Sequence, residues 1–132
     1  MVLVDANVLI DVLTDDPDWS EWSQAKLLEA YTDDRLAINP IIYTEIAAAY
    51  KTATALERAL QPWPLSRLPL PYSAAWPASQ AFLRYRKSGG KRTTPLPDFL
   101  IGAQALVEDL TLLTRDVARY RTYFPKVKMI AP

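Results

Sequence analysis

Close to its start the chain runs Val2-Leu3-Val4, apolar without interruption, and then meets an acid, Asp5. Helical spacing of apolar residues follows at once, at Val8, Leu9, Val12 and Leu13. A short strand covered on both faces and joined directly to a helix is the repeating unit of a parallel α/β sheet. The unit recurs. Asp18-Trp19-Ser20-Glu21 reads as a capping box that opens a helix over about 19–32, and Leu36-Ala37-Ile38 is a second buried strand. Asn39-Pro40 supplies an N-cap and a first-turn proline for a helix running from Ile41 into the fifties. Four prolines between Gln61 and Pro71 predict a turn and a short edge strand. Ser73 is placed to cap a helix reaching Gly89, with Pro77 in its first turn, and residues 89–97 form a polar loop. A helix from about Asp98 to Glu108, a strand over Leu110–Thr114, a helical turn and a last strand at Val127–Ile130 complete the pattern. Strands alternating with helices predict one domain over 1–132, a three-layer α/β/α architecture with a central parallel sheet.

The chain has no histidine and no cysteine among its 132 residues. That excludes Ser-His-Asp and Cys-His catalysis, histidine acid–base chemistry, disulfides and every imidazole or thiolate metal site. The glycines are Gly89, Gly90 and Gly102, so no phosphate-cradling glycine loop can be written. Any chemistry falls to carboxylates, hydroxyls and cations. Net charge is zero but unevenly laid out: residues 1–50 hold ten acids and two bases, residues 51–132 five acids and thirteen bases. Such asymmetry points toward an anionic partner for the second half. No apolar run nears the roughly 18 residues of a membrane span, no basic leader precedes one, and the expectation is a cytoplasmic protein.

In parallel sheets, ligands sit beyond the carboxyl ends of the strands, where strand order reverses. Asp5 ends the first strand and Asp116 lies two residues beyond Thr114 at the end of the fourth, so neighbouring strands about 4.8 Å apart would bring both carboxylates to a common ion. Glu45 stands in an apolar helix with Ile41, Ile42, Ala48 and Ala49 one turn away, where an acid needs a cation or hydrogen bonds in place of water. Asp98 opens the helix leading to the fourth strand. Asp5, Asp98 and Asp116 also stand where a carboxylate caps a helix, and Glu45 would serve equally as a buried hydrogen-bonded acid. Capping requires no convergence, whereas the topology brings the four to one end of the sheet. Four facing carboxylates repel unless divalent ions join them, and oxygen-only ligation selects Mg²⁺ or Mn²⁺. Such a site suits phosphodiester hydrolysis.

Together VLVDANVLIDVL at the N-terminus, YTE at 43–45, PDFLIGAQAL at 97–106 and LLTRDVARYRTYFP at 112–125 resemble the PIN-domain ribonucleases, and among them the VapC-type toxins of toxin–antitoxin pairs. The resemblance implies that Asp5, Glu45, Asp98 and Asp116 are metal-binding catalytic acids, with Asn7 and Thr114 as supporting polar residues. It further implies an endoribonuclease with Mg²⁺ or Mn²⁺ as cofactor, held inactive by a cognate antitoxin protein and forming a homodimer. Residues Thr52–Tyr72 match the family poorly. The basic run Arg84, Arg86, Lys87, Lys91 and Arg92, with Arg115 beside Asp116, is then expected to track an RNA backbone, although a solvated helix end explains such a run equally. Trp19, Trp22, Trp63 and Trp76 are expected in the core or a dimer interface, and Asp11, Asp15, Asp16 and Asp18 in a solvated turn, with a minor role at the site left open for Asp11 one helical turn from Asn7. Two other functions fit the chain less well: a catalytically inactive PIN-like module binding RNA or protein, and a metal-dependent phosphatase of similar topology, whose first strand calls for Asp where Asn7 stands.

Overall fold

The computed structural model describes residues 1–90 and 96–132. Five parallel strands form one sheet in the order β3-β2-β1-β4-β5: β1 (Val2–Val4), β2 (Leu36–Ile38), β3 (Leu65–Arg67), β4 (Thr111–Leu113) and β5 (Met129–Ile130). The helices α1 (Ala6–Leu13), α2 (Ser20–Asp33), α3 (Pro40–Ala47), α4 (Ala53–Leu60), α5 (Ala75–Lys87), α6 (Leu96–Val107) and α7 (Val117–Tyr123) flank it in the expected α/β/α layers. All residues of β1 and β2 are buried, which is why their sequences are apolar on both faces rather than alternating. The chain builds outward from β1 to β2 and β3, then returns to lay β4 and β5 on the other side. Strand order therefore reverses between β1 and β4, whose register pairs Val4 with Leu113. The crevice of the fold lies just beyond these two residues.

Several elements differ from their sequence expectation for local reasons. Asp18 does not cap α2: the Asp16 carboxylate accepts the backbone N–H groups of Asp18 and Trp19, each at 2.9 Å, and the helix starts at Ser20. Helix α3 keeps its expected start, with Asn39 accepting from Ile42 N at 2.8 Å, but stops at Ala47 instead of entering the fifties. Its end tightens through i→i−3 bonds from Ala49 and Tyr50, and Thr52 caps a new helix by accepting from Ala55 N at 3.1 Å. Restarting the helix lets α4 bury Leu56 and Leu60. Ser73 does not cap α5; it lies in a single 3₁₀ turn, Tyr72–Ala74, leading into a helix with no side-chain cap and Pro77 in its first turn. Helix α6 starts at Leu96, two residues before Asp98, so that acid sits inside the first turn. Among the described residues no helix is long and apolar enough to cross a membrane.

Two buried amides brace the helices of the crevice. Asn39 Nδ2 donates to Gln104 Oε1 at 2.8 Å, and Gln104 Nε2 donates to the Pro69 carbonyl at 3.1 Å and to Glu108 at 3.2 Å. This couples the start of α3 to α6 and to the chain beyond β3. Gly102 lets α6 close on the sheet end of the core, since a Cβ there would lie 2.5 Å from Phe124 Cδ2. Phe124 is itself buried and packs on Phe99, so it has little room to yield. Ala normally favours a helix over Gly by about 1 kcal/mol. Here Gly102→Ala is expected to lower unfolding free energy by about 1–2 kcal/mol because overpacking outweighs propensity, a result denaturant titration will read directly.

Candidate active site

Asp5 is the fixed point of the crevice. Its backbone N–H donates to Leu113 O at 2.9 Å, extending the β1–β4 ladder by one bond. One carboxylate oxygen accepts from Ala6 N at 2.8 Å and so caps α1; the other accepts from Thr114 Oγ1 at 2.8 Å and Tyr120 OH at 3.1 Å. Capping and convergence are thus divided between its two oxygens. Thr114 Oγ1 meanwhile accepts from Asp116 N at 3.0 Å and from Asn7 Nδ2 at 3.4 Å, leaving its one proton for Asp5. Asn7 also reaches Asp5 Oδ2 at 3.4 Å, and its Oδ1 accepts from Arg115 N at 3.2 Å. Asn7 and Thr114 therefore hold the ends of β1 and β4 in one polar net.

The other acids surround this net from separate elements. Glu45 projects from α3, half-buried, and its Oε1 is buried without a hydrogen-bond partner. Asp98, on α6, is ion-paired with Arg119 of α7, each side chain about a quarter exposed. Asp116 occupies the N-cap position of α7, yet its side chain makes no capping bond and is exposed. Burial pushes the Asp5 carboxyl up to about 6, Thr114 and Tyr120 opposing and the Asp98 charge adding to the rise. Burial likewise lifts Glu45 to about 7, with the charges of Asp5 and Asp98 reinforcing it. Asp98 is raised by burial against the pull of Arg119, with Asp116 adding repulsion. The four acids thus form one electrostatic cluster. As they stand, no three acids among the described residues are drawn close enough to surround an ion.

Two groups escaped the sequence reading. Tyr120, buried and hydrogen-bonded to Asp5, stands one helical turn after Asp116, and that spacing was the available signal. Asp11 is not in a solvated turn. It is 1% exposed, accepts from Ser23 Oγ at 2.7 Å, and is ion-paired with Arg115, whose Nε lies 2.6 Å from Oδ2. Arg115 also lies over the Trp19 ring at 4.9 Å, so the guanidinium expected along an RNA backbone is engaged inside the fold. Of the remaining basic run, Arg84 donates to Tyr123 O at 3.2 Å, Arg86 lies over Phe82, and Lys87 is exposed. Lys91 and Arg92 lie outside the described residues. Trp19 and Trp22 pack edge to face, Trp63 lies against the core, and Trp76 is 73% exposed.

A five-stranded parallel sheet whose order reverses between β1 and β4, flanked by helices on both faces, defines an α/β protein of three layers. The sequence matches the PIN domain family over residues 2–125, and the chain belongs to that family. Its fold matches solved structures end to end. VapBC2 from Rickettsia felis, bound to a promoter DNA fragment, is 16% identical with a TM-score of 0.76, covering 100% of this chain and 99% of that one. A toxin–antitoxin complex from Klebsiella pneumoniae is 25% identical with a TM-score of 0.70, covering 96% and 95%. VapBC-1 from nontypeable Haemophilus influenzae is 18% identical with a TM-score of 0.72, covering 99% and 98%. No curated protein is matched by the sequence.

The electrostatics give a pH signature. Asp5 and Glu45 hold protons to higher pH in the folded chain, about 6 and 7, than their ordinary 3.8 and 4.5. The stability tied to those protons is full below the ordinary values and is lost as pH rises through the folded ones. In chelator, the melting temperature should be higher at pH 5 than at pH 7.5, and a double variant Asp5→Asn/Glu45→Gln should flatten that fall. A wild-type profile no steeper than the variant's would contradict the repulsive cluster.

Proposed function

We propose that the protein is a Mg²⁺- or Mn²⁺-dependent endoribonuclease, the toxin of a toxin–antitoxin pair. What supports the reading is the mutual repulsion among Asp5, Glu45, Asp98 and Asp116, which stand on separate elements, and the buried oxygen of Glu45 that has no partner among the described residues. The donor set suits a hard divalent ion in kind and charge, being all oxygen and mutually repulsive. Asp5, Glu45, Asp98 and Asp116 would hold it, and it would supply an activated water and neutralise charge at a scissile phosphate. The chain's own residues do the positioning. Thr114, Tyr120 and Asn7 fix Asp5, and the Asn39–Gln104 pair sets α3, with Glu45, against α6, with Asp98. Exposed Arg84, Arg86 and Lys87 offer a basic surface to an RNA backbone, with Lys91 and Arg92 close by in sequence, while Arg115 is held by Asp11.

The toxin reading draws on family membership and on solved relatives that are toxin–antitoxin complexes. An antitoxin suits the uncovered apolar surface where Leu28 and Tyr31 of α2 adjoin Trp63. A second copy suits the face bearing Tyr72, 97% exposed, with Trp76 and the half-exposed Leu83 on α5. Trp76→Glu is accordingly expected to convert a dimer to a monomer in light scattering without lowering the melting temperature; an unchanged mass would remove this face from self-association.

The decisive test of catalysis is Asp98→Asn. Its ion pair with Arg119 is partly exposed, so loss costs about 0–1 kcal/mol and the variant folds. RNA cleavage by the parent should require Mg²⁺ or Mn²⁺ and cease in EDTA, and the variant should cleave at least about a hundredfold more slowly. Parental cleavage rates in either condition would overturn the metal-site assignment, whereas no cleavage by the parent in Mg²⁺ or Mn²⁺ would favour an inactive binding module.

A further inference from the structure

Arg119 is the one cation, among the described residues, in ion-pair contact with any of the four acids. Asp5 takes all its hydrogen bonds from neutral donors, and Glu45 Oε1 takes none. The Asp98–Arg119 pair is not sealed in the core, both side chains keeping about a quarter of their surface in solvent. In the same pose the guanidinium carbon lies 5.9 Å from the centre of the Tyr85 ring on α5, a contact that does not depend on Asp98.

We propose that Arg119 is a built-in competitor for the cation site: its guanidinium neutralises Asp98 in the metal-free protein and must leave that carboxylate for a divalent ion to be ligated by it. The inference rests on the reading of the acids as ion ligands given above. A single positive charge at the edge of four carboxylates balances them poorly, and a divalent ion offers twice the charge to the same oxygens. Asp98 engaged by Arg119 is also consistent with the finding that no three acids yet surround one point. Released from Asp98, the guanidinium remains on the Tyr85 face of the crevice. There it is a fork-shaped donor of the kind that recognises phosphate, so ion binding and RNA binding would favour one another. The opposite role, in which Arg119 orients Asp98 for the ion, predicts the opposite sign for the same substitution.

The test is Mn²⁺ titration by calorimetry at pH 7.5 and 0.15 M salt, without RNA, on the full chain. Arg119→Gln should bind Mn²⁺ about tenfold more tightly than the parent, equivalent to about 1.4 kcal/mol, and show the larger Mn²⁺-induced rise in melting temperature. Arg121→Gln removes the same charge from an exposed position on the same helix and should change affinity less than about twofold, because distant exposed charges are screened. Arg119→Lys, which keeps charge but loses the fork, should fall between parent and Gln variant, and carries the test if the Gln variant does not fold. Affinity that is unchanged, weaker, or raised equally by Arg121→Gln overturns the competition. Absence of Mn²⁺ binding to both parent and folded Arg119→Gln overturns the metal site, and this inference with it.

Discussion

The buried carboxylate of Asp5 is the constraint on which the crevice depends. It is 3% exposed and meets no cation among the described residues, where its hydration is replaced by four neutral donors from β1's own exit, the end of β4 and α7. Those donors converge only if β1 and β4 are neighbours in parallel register and α7 folds back over them. The hydroxyl of Thr114 is fully used, giving its proton to Asp5 and accepting from Asp116 N and Asn7. A net with every member satisfied is stiff, and stiffness at this point sets where the other three acids stand.

The cluster opposes folding while it organises function. Burial and mutual repulsion raise Asp5, Glu45 and Asp98 together, so their charged forms are disfavoured in the folded chain. The surrounding core offsets this. Phe99 packs edge to face against Phe82, Tyr85 and Tyr123 directly behind the helix that carries Asp98, and Tyr120 closes the base of the site.

The charge imbalance between the two halves also finds a structural use. Asp11 and Glu57 each pair with an arginine, Arg115 and Arg67, but only the first pair crosses from the acid-rich to the base-rich half. Asp98 and Arg119 pair within the second half, at the crevice itself. Part of the basic excess is therefore internal bracing, and the surface left for an anionic partner is narrower than the count of bases suggested. Arg115 illustrates the difference: in sequence it adjoins Asp116, and in space it serves Asp11 and Trp19.

What the sequence determined by itself was the alternation of strands and helices, the parallel sheet, and the standing of Asp5 and Asp116 just beyond the ends of β1 and β4. These follow from short-range rules: apolar runs of strand length, helical periodicity, and acids at strand ends where the topology permits ligands. Helix ends were less legible because a cap is a contest among nearby acceptors, and Asp16 rather than Asp18 won it, as Thr52 won a new helix from α3. Long-range side-chain pairing was far less legible, apart from the helical spacing of Tyr120 from Asp116. That spacing does not name Asp5, 115 residues away, as the partner of Tyr120, and nothing local marks Arg115 for Asp11, 104 away, or Gln104 for Asn39, 65 away. Those contacts exist because the fold buries polar groups that have lost water, and each must then take whichever partner the packing of distant elements brings within reach.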